Sequence, residues 1–319
     1  MEDIELKDRL IAAKSYHETA QSASVSTNYP LTEVFWAGAT KFVGELVIAA
    51  NEEQGLMLFT DGELQSSQSD ERIYHEFAVH PTILLHRHLF GDADKPLKVL
   101  VLGGGEGATV RELVKYSSEH IGEVIWNDID KDLCDLCDKF IGYSAGYMQE
   151  EVTLYDSGDS KKRVKIMYED ANALLKEECH QGRYDVIIND LPDPGENDEG
   201  LYSPEFFADL YKCCAEKSVI VSHAGPVSPT HMQVKNFLKD NLCKAGFEEE
   251  IKFGLVAIPS FQSEWGYVYS YKTPTPIHAI GDINYASALE KHGPPAASLH
   301  IVDQHSLRRF FDIPPYYFK

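Results

Sequence analysis

Hydrophobic positions change their spacing along this chain, and the changes mark its elements. From Leu97 onward, short apolar runs alternate with segments of helical spacing. LKVLVL precedes ATVRELVKY, EVIWNDID precedes KDLCDLCDKF, and RVKIMYED precedes ANALLKEE. YDVIINDL then precedes SPEFFADLYKCC, and KSVIVSHA precedes HMQVKNFLKDNLCKA. GFEEEIKFGL and WGYVYSYK add two late strands. Short apolar strands alternating with helices predict an α/β fold: a mostly parallel, doubly wound sheet with helices on both faces. Upstream, FVGELVIAA, GLMLFTDG and ELQSS predict a small antiparallel β region from Glu33 to about Ser67. DERIYHEFAVHPTILLHRHL, Asp70 to Leu89, has helical spacing, with Ile73, Phe77, Ile83 and Leu84 near one stripe. Asp70 is placed to cap that helix, and Pro81 to kink it or split it in two. The predicted organisation is an N-terminal arm at 1–30, helical or frayed, a small β-domain at 31–70 and a Rossmann-like domain at 71–319. Within the last, a capped helix begins near Asp303.

Composition narrows the partners. The 319 residues are 43% hydrophobic, enough for a sizeable core, and carry a net charge of -22. So acidic a surface disfavours nucleic acid and anionic membranes, which both need a basic footprint. It suits a cationic small molecule. No apolar run approaches the ~18 residues of a membrane span, and the opening thirty residues lack a signal segment. With six cysteines and no disulfide pattern, the expected setting is reducing and cytoplasmic. Cys134 and Cys137 form a C-x-x-C inside a predicted helix with no second pair at zinc spacing. His75, His80, His86 and His88 crowd one helix but match no zinc motif. No metal is expected.

The chemistry collects at the strand ends, where open α/β sheets bind ligands. The first strand of the alternation ends in GGGEG, the second in Asp128 and Asp130, the third in Glu169 and Asp170, the fourth in Asp190 followed by Asp193. Gly103, Gly105 and Ala108 roughly fit G-x-G-x-x-A, a weak pattern alone. A pyrophosphate at the following helix would meet Glu106 and be repelled. A nucleoside without phosphate fits better, since glycines still allow close backbone approach. Asp128 stands where a carboxylate takes ribose hydroxyls, and Asp170 where methyltransferase-like folds hold adenine. The implied ligand is an adenosine thioether or sulfonium of the S-adenosylmethionine type. Glu106 would pair with a free ammonium and repel a carboxylate, which favours decarboxylated S-adenosylmethionine over the ordinary methyl donor. An amine with pKa near ~10 must lose a proton before it attacks. Asp190 is the candidate acceptor of that proton, with Asp193 anchoring the amine. Residues 192–203 read as a lid. His223, in VSHAGP at another strand end, is a further pocket candidate.

These segments, in this order, carry a resemblance. TDGELQSSQSDERIYHEFAVHP, VLVLGGGEGATVRE, WNDID, YEDA, VIINDLPDP and IPSFQSEWGY resemble the polyamine aminopropyltransferases over about residues 40–275. That family includes spermidine synthase and its thermospermine, spermine and agmatine-using relatives. The resemblance implies a methyltransferase-like Rossmann core and transfer of aminopropyl from decarboxylated S-adenosylmethionine to a polyamine, releasing 5'-methylthioadenosine. It also implies no permanently bound cofactor and assembly as a homodimer or homotetramer. Carried over by position, Asp190 accepts the proton, while Tyr74 and Asp193 place the amine. Gln65, His75 and Glu106 line the aminopropyl side; Gly103, Gly104 and Gly105 admit the nucleoside; Asp128 holds ribose and Asp170 adenine. The chain departs from the family at Val43, where Gln is usual, and at Phe261, where Tyr is usual. Spermidine synthases usually carry Asp in place of Glu106, and two serines in place of Leu191 and Pro192. GGGEG, YHE, SHAGP and PSF-x-x-x-WG look more like plant thermospermine synthases, and somewhat like prokaryotic enzymes using agmatine or longer amines. Phe261 and Trp265 would suit a longer methylene chain. The expected reaction converts spermidine to thermospermine, with putrescine, agmatine or longer acceptors as alternatives. In other classes stand an S-adenosylmethionine-dependent amine N-methyltransferase and a non-catalytic polyamine-binding regulator.

Overall fold

The computed structural model describes residues 2–19, 26–91, 95–144, 163–177, 180–192, 200–249, 252–275 and 283–318. Two sheets organise them. Strands β3 (Glu33–Gly38), β4 (Leu46–Asn51), β5 (Gly55–Thr60) and β6 (Glu63–Ser67) form a four-stranded antiparallel sheet in chain order. The pleat sends alternate residues of β4 to opposite faces. Val47 and Ala49 join Leu10, Tyr16 and Tyr29 in one core, and Leu46 and Ile48 join Trp36 and Cys137 in another. The first core is covered by helix α1 (Ile4–Ala13) and by a hairpin of β1 (Ser15–Thr19) and β2 (Ser26–Pro30). The N-terminal arm is therefore packed rather than frayed, and it holds two strands that hydrophobic spacing did not announce. SYHET and STNYP are mostly polar, and each buries a single tyrosine, Tyr16 or Tyr29.

The larger sheet comprises β7 (Leu97–Gly103), β8 (Ile121–Asn127), β9 (Val164–Met167), β10 (Tyr184–Asp190), β11 (Cys214–Val227), β12 (Lys252–Ile258) and β13 (Ser263–Lys272). Its seven strands run in the order β12-β13-β11-β10-β7-β8-β9. All pairings from β9 to β11 are parallel, and β13 is antiparallel to both neighbours. The chain leaves β7 towards β8 and β9, then returns to place β10 on the other side of β7. The gap between β7 and β10 is thus the topological switch point where such sheets bind ligands. Helix α2 (Glu71–Phe90) and α3 (Ala108–Val114) cover one face. Helices α5 (Ala171–Leu174), α6 (Pro204–Cys213) and α7 (Gln233–Ala245) cover the other. On β7, Val99 and Val101 face the first layer, Leu100 and Leu102 the second. Helix α4 (Lys131–Phe140) buries Cys134 and Cys137 on one side, and Cys137 packs against the small sheet. Burial pushes both thiols well above the ordinary cysteine range.

Two expectations for α2 change. Pro81 does not split it: the helix is continuous from Glu71 to Phe90. Proline removes the N–H that would bond the Phe77 carbonyl, and the Tyr269 hydroxyl of β13 donates to that carbonyl instead, at 2.8 Å. One turn earlier, Tyr267 donates to the Tyr74 carbonyl at 2.9 Å. Asp70 stands at the N-cap position but makes no capping bond with its side chain. Its carboxylate accepts from the Ser260 N–H (2.7 Å) and hydroxyl (2.8 Å), tying the turn before Phe261 to the start of α2. After α8 (Tyr285–His292), the expected capped helix near Asp303 is α9 (Gln304–Phe311), with a reciprocal Asp303–Ser306 box. Among the described residues no helix is long and apolar enough to cross a membrane.

Candidate active site

The register of the sheet sets Asp190, the last residue of β10, directly beside Gly103, the last of β7. A glycine is required there. A Cβ on Gly103 would lie 2.2 Å from the Asp190 carbonyl oxygen, and one on Gly104 would lie 2.7 Å from Asp190 Oδ2. Both glycines also have positive φ, +79° and +70°. A Cβ on Gly105 would lie 3.0 Å from Asp128 Oδ2. The glycine loop therefore serves to bring two strand-end carboxylates against the backbone.

Asp190 is held from two sides. Tyr74, on α2, donates its hydroxyl to Oδ1 at 2.6 Å, and Thr109, on α3, donates to Oδ2 at 2.7 Å. Burial first, then the Asp190 charge, pushes the Tyr74 phenol well above its usual range, so it remains a donor. Around the Tyr74 ring stand His223, Phe261, Trp265 and Tyr267, with centroids between 5.7 and 6.3 Å away. Phe261 and Trp265 pack on each other at 4.7 Å. His223 approaches the Leu191 carbonyl through Nε2 at 2.7 Å and stacks on Trp265. These residues come from α2, β11, β13 and the turn before β13, and form an aromatic wall beside the base.

Glu106 does not cap α3; Gly107 stands at that cap with φ +84°. Glu106 instead belongs to a chain of alternating charges. His75 Nδ1 lies 2.7 Å from the Glu71 carbonyl oxygen and 3.0 Å from its carboxylate, so Nδ1 carries a proton. His75 Nε2 lies 3.2 Å from Glu106 Oε1, where a bare lone pair would be repelled. A carboxylate oxygen near each nitrogen favours the doubly protonated ring. Burial opposes that charge, but Glu106 and Glu71 outweigh it and raise the His75 pKa to about 10. Burial likewise opposes ionisation of Glu71, yet His75 and Arg111 lower its pKa to about 2. Arg111 holds Glu71 in a fork of two bonds, 3.0 and 2.7 Å.

Asp128 follows β8. Burial, the neighbouring Asp130 and the facing Glu106 and Asp190 raise its pKa to about 7, against a bond from the Asp130 N–H. Asp130 and Asp170 have local structural duties: Asp130 caps α4 and meets the Thr40 hydroxyl from the β3–β4 connection, and Asp170 caps α5. Asp170 also lines a cavity of about 470 Å³ with Lys41, Phe42, Ile129, Tyr168 and Glu169. Phe42 and Ile129 are exposed there, at 44% and 41%. The acids at successive strand ends thus divide: Glu106, Asp128 and Asp190 adjoin the glycine loop, while Asp130 and Asp170 fasten helices.

Of the other residues singled out from sequence, Gln65 is exposed on β6 and hydrogen-bonds none of the cluster. Val43 packs against the core containing Trp36 and Cys137. Asp193, and most of the loop read as a lid, lie outside the described residues. The crowded histidines have separate partners. His80 lies between Glu112 and Tyr116, and His86 near the Lys217 carbonyl, while His88 is exposed. Among the described residues no three His, Cys, Asp or Glu side chains cluster to hold a metal. Sequence reasoning missed Thr109, Glu71 and Arg111. Thr109 carried a faint signal, a hydroxyl two residues past a cap glycine, but helix starts commonly hold threonine. Glu71 and Arg111 are 40 positions apart, and only the packing of α2 on α3 joins them.

Comparisons with known proteins bear on the family and the fold. The model of the spermine/spermidine synthase domain matches residues 71–278. A polyamine aminopropyltransferase of Aeropyrum pernix is 30% identical over 290 residues, 90% of this chain and 84% of the relative. Thermospermine synthase ACAULIS5 of Arabidopsis thaliana is 29% identical over 257 residues, 79% of this chain and 68% of the relative. Among solved structures, a spermidine synthase in complex with the transition state analogue AdoDATO superposes with TM-score 0.76 at 21% identity, covering 95% of this chain and 92% of that one. The spermidine synthase of Thermotoga maritima gives 0.75 at 22%, with the same coverage. The fold is that of spermidine synthase, with a methyltransferase-like α/β core, and the family match makes the chain a transferase. The chain belongs to the spermine/spermidine synthase family of polyamine aminopropyltransferases. The donor in that family is decarboxylated S-adenosylmethionine, consumed as a cosubstrate rather than kept as a cofactor.

Proposed function

We propose that this aminopropyltransferase uses spermidine as acceptor and makes thermospermine, with Asp190 as proton acceptor. The observation that carries the base assignment is the Asp190 carboxylate, held at the switch point by Tyr74 and Thr109 beside the glycine loop. In the reaction, an amine nitrogen attacks the aminopropyl carbon bound to the sulfonium. The C–N bond forms as the C–S bond breaks, the sulfur keeps the bonding pair, and 5'-methylthioadenosine leaves neutral. The proton displaced from nitrogen passes to Asp190. A sulfonium is already a good leaving group, so positioning and deprotonation do most of the catalytic work.

The remaining residues take roles that their placement supports. Asp128 accepts from the ribose hydroxyls, and Asp170 borders the adenine. Glu106, oriented by the His75 cation on one oxygen, offers its other oxygen to the ammonium of the aminopropyl group. Phe261 and Trp265 give the acceptor's methylenes an apolar and cation–π surface beside Tyr74. Asp193 anchors the amine and Gln65 the aminopropyl side, by analogy of position alone. The choice of spermidine rests on the likeness to the plant thermospermine synthase together with this aromatic wall.

The test is a product analysis. The protein is incubated with decarboxylated S-adenosylmethionine and, separately, putrescine, agmatine, spermidine and norspermidine, and products are resolved by chromatography and mass spectrometry. Thermospermine from spermidine, at the highest kcat/KM of the set, is the expected result. Faster turnover of putrescine would make it a spermidine synthase, and methylation with ordinary S-adenosylmethionine would overturn the donor. Asp190→Asn is expected to lose at least about a hundredfold in kcat, the scale of a positioned general base. Binding of 5'-methylthioadenosine by titration calorimetry should stay near the wild-type value.

A further inference from the structure

We infer that Thr109 is a positioning residue for the catalytic base, an inference that rests on the reading of Asp190 as proton acceptor. A strand-end carboxylate turns easily about its last torsion, because that torsion has broad, shallow wells. One hydrogen bond, from Tyr74 to Oδ1, fixes one oxygen and leaves the carboxylate plane free to swing. The second bond, from Thr109 to Oδ2, fixes the plane. Both partners are hydroxyl donors, so both carboxylate oxygens act as acceptors, the form a proton acceptor needs. The Gly104 N–H adds a bond to the Asp190 carbonyl at 3.2 Å, so backbone and side chain of the base are clasped by the same loop and helix start.

The hydroxyl is there because of how the loop enters α3. Gly107, in the left-handed region, turns the chain into the helix, and Thr109 falls two residues later. Its side chain is fully buried, with Asp190 as its acceptor. A glycine is needed at 104 for the same reason: a Cβ there would lie 2.7 Å from Asp190 Oδ2 and 3.7 Å from Thr109 Oγ1. The glycine loop therefore has two duties, admitting the nucleoside and delivering a hydroxyl to the base.

The test uses Thr109→Val, which keeps the shape and removes the donor, and Thr109→Ser, which restores it. A hydrogen bond to a charged group is strong enough that its loss should lower kcat about tenfold. The KM for the amine should stay within about twofold, and binding of 5'-methylthioadenosine should be unchanged, since neither contact is with ligand. Thr109→Ser should recover most of the kcat. A role in packing alone would lower the melting temperature without this split between kcat and KM. If Thr109→Val fails to fold, Thr109→Ala and Thr109→Ser carry the comparison, with alanine slow and serine fast. Wild-type kcat in Thr109→Val, or a loss that serine does not rescue, overturns the inference while leaving the base assignment in place if Asp190→Asn is inactive. An active Asp190→Asn overturns both.

Discussion

At the scale of single residues, this site is charge placed against the ordinary cost of burial. Asp128 is the clearest case. Its pKa rises to about 7 because burial and surrounding carboxylates disfavour its ionised form. An unfolded aspartate titrates near 3.8, so between these values the folded protein binds the extra proton. Stability therefore falls as pH rises through that window. Asp128→Asn is expected to melt several degrees above wild type at about pH 8 and to show little gain at about pH 5. The same variant should bind 5'-methylthioadenosine more weakly at about pH 8, because the ionised acceptor for ribose is gone. His75 has the same sign in a higher window, though here the raised pKa comes from favourable pairing rather than from burial. Its pKa is raised from 6.5 to about 10, so the stability from its pairing is complete below 6.5 and is lost as pH climbs through about 10. Thermal melts of wild type and His75→Gln across that range should converge at the alkaline end.

At the scale of elements, helix α2 does the most to assemble the site. It carries Glu71, Tyr74 and His75 in its first turns and Glu76 and His80 on its buried surface. At Pro81, β13 supplies a hydroxyl in place of the N–H that proline lacks. Tyr269→Phe should cost about 1–3 kcal/mol in urea unfolding, the penalty for an unsatisfied buried acceptor. The cost should shrink in a Pro81→Ala background, where the helix regains its own donor, and the cycle should give a coupling of about 1 kcal/mol. Equal costs in both backgrounds would show that Tyr269 acts through packing alone. The sequence signals for α2 were good about its existence and extent. Of the two outcomes expected at Pro81, the split does not occur, and the residue that compensates for the missing N–H is distant in the chain. The signals misjudged Asp70 for the same reason of distance: Ser260, 190 positions away, takes its carboxylate.

At the scale of the whole molecule, the C-terminal segment belongs to the core and not to a tail. Phe310 stacks on Phe77 with centroids 4.5 Å apart, and Leu307 and Val302 join the same cluster. The Glu76 carboxylate, fully buried on α2, accepts from the N–H groups of His300, Ile301 and Val302, each at 2.9 Å. Lys115 stands between Glu76 and Glu112, which continues the buried charges towards Arg111 and Glu71. Glu76→Ala leaves those donors buried without an acceptor and is expected to cost about 3 kcal/mol or more. Limited proteolysis should then cut first near Ile301, whereas wild type resists there. Unchanged resistance would mean that the aromatic packing of Phe310 suffices to hold the segment.

The hydrophobic pattern alone determined the strand–helix alternation, the small antiparallel sheet and the acids at the strand ends. These follow from local periodicity and from the rule that parallel strands deliver their loops to one edge. Glycine spacing with Glu106 in the loop was enough to prefer a nucleoside carrying an ammonium over a phosphate ligand. Which acids adjoin the glycine loop, and which also cap helices, was decided by tertiary structure. The roles of Asp130 and Asp170 turn on a few ångströms of helix placement, and one carboxylate looks like another in sequence. The partners that tune the site were likewise invisible: Thr109 for Asp190, Arg111 and Glu71 for His75, Tyr269 for Phe77. Each lies on another element from the group it serves, and nothing in one stretch of chain records what a neighbouring helix will bring to it.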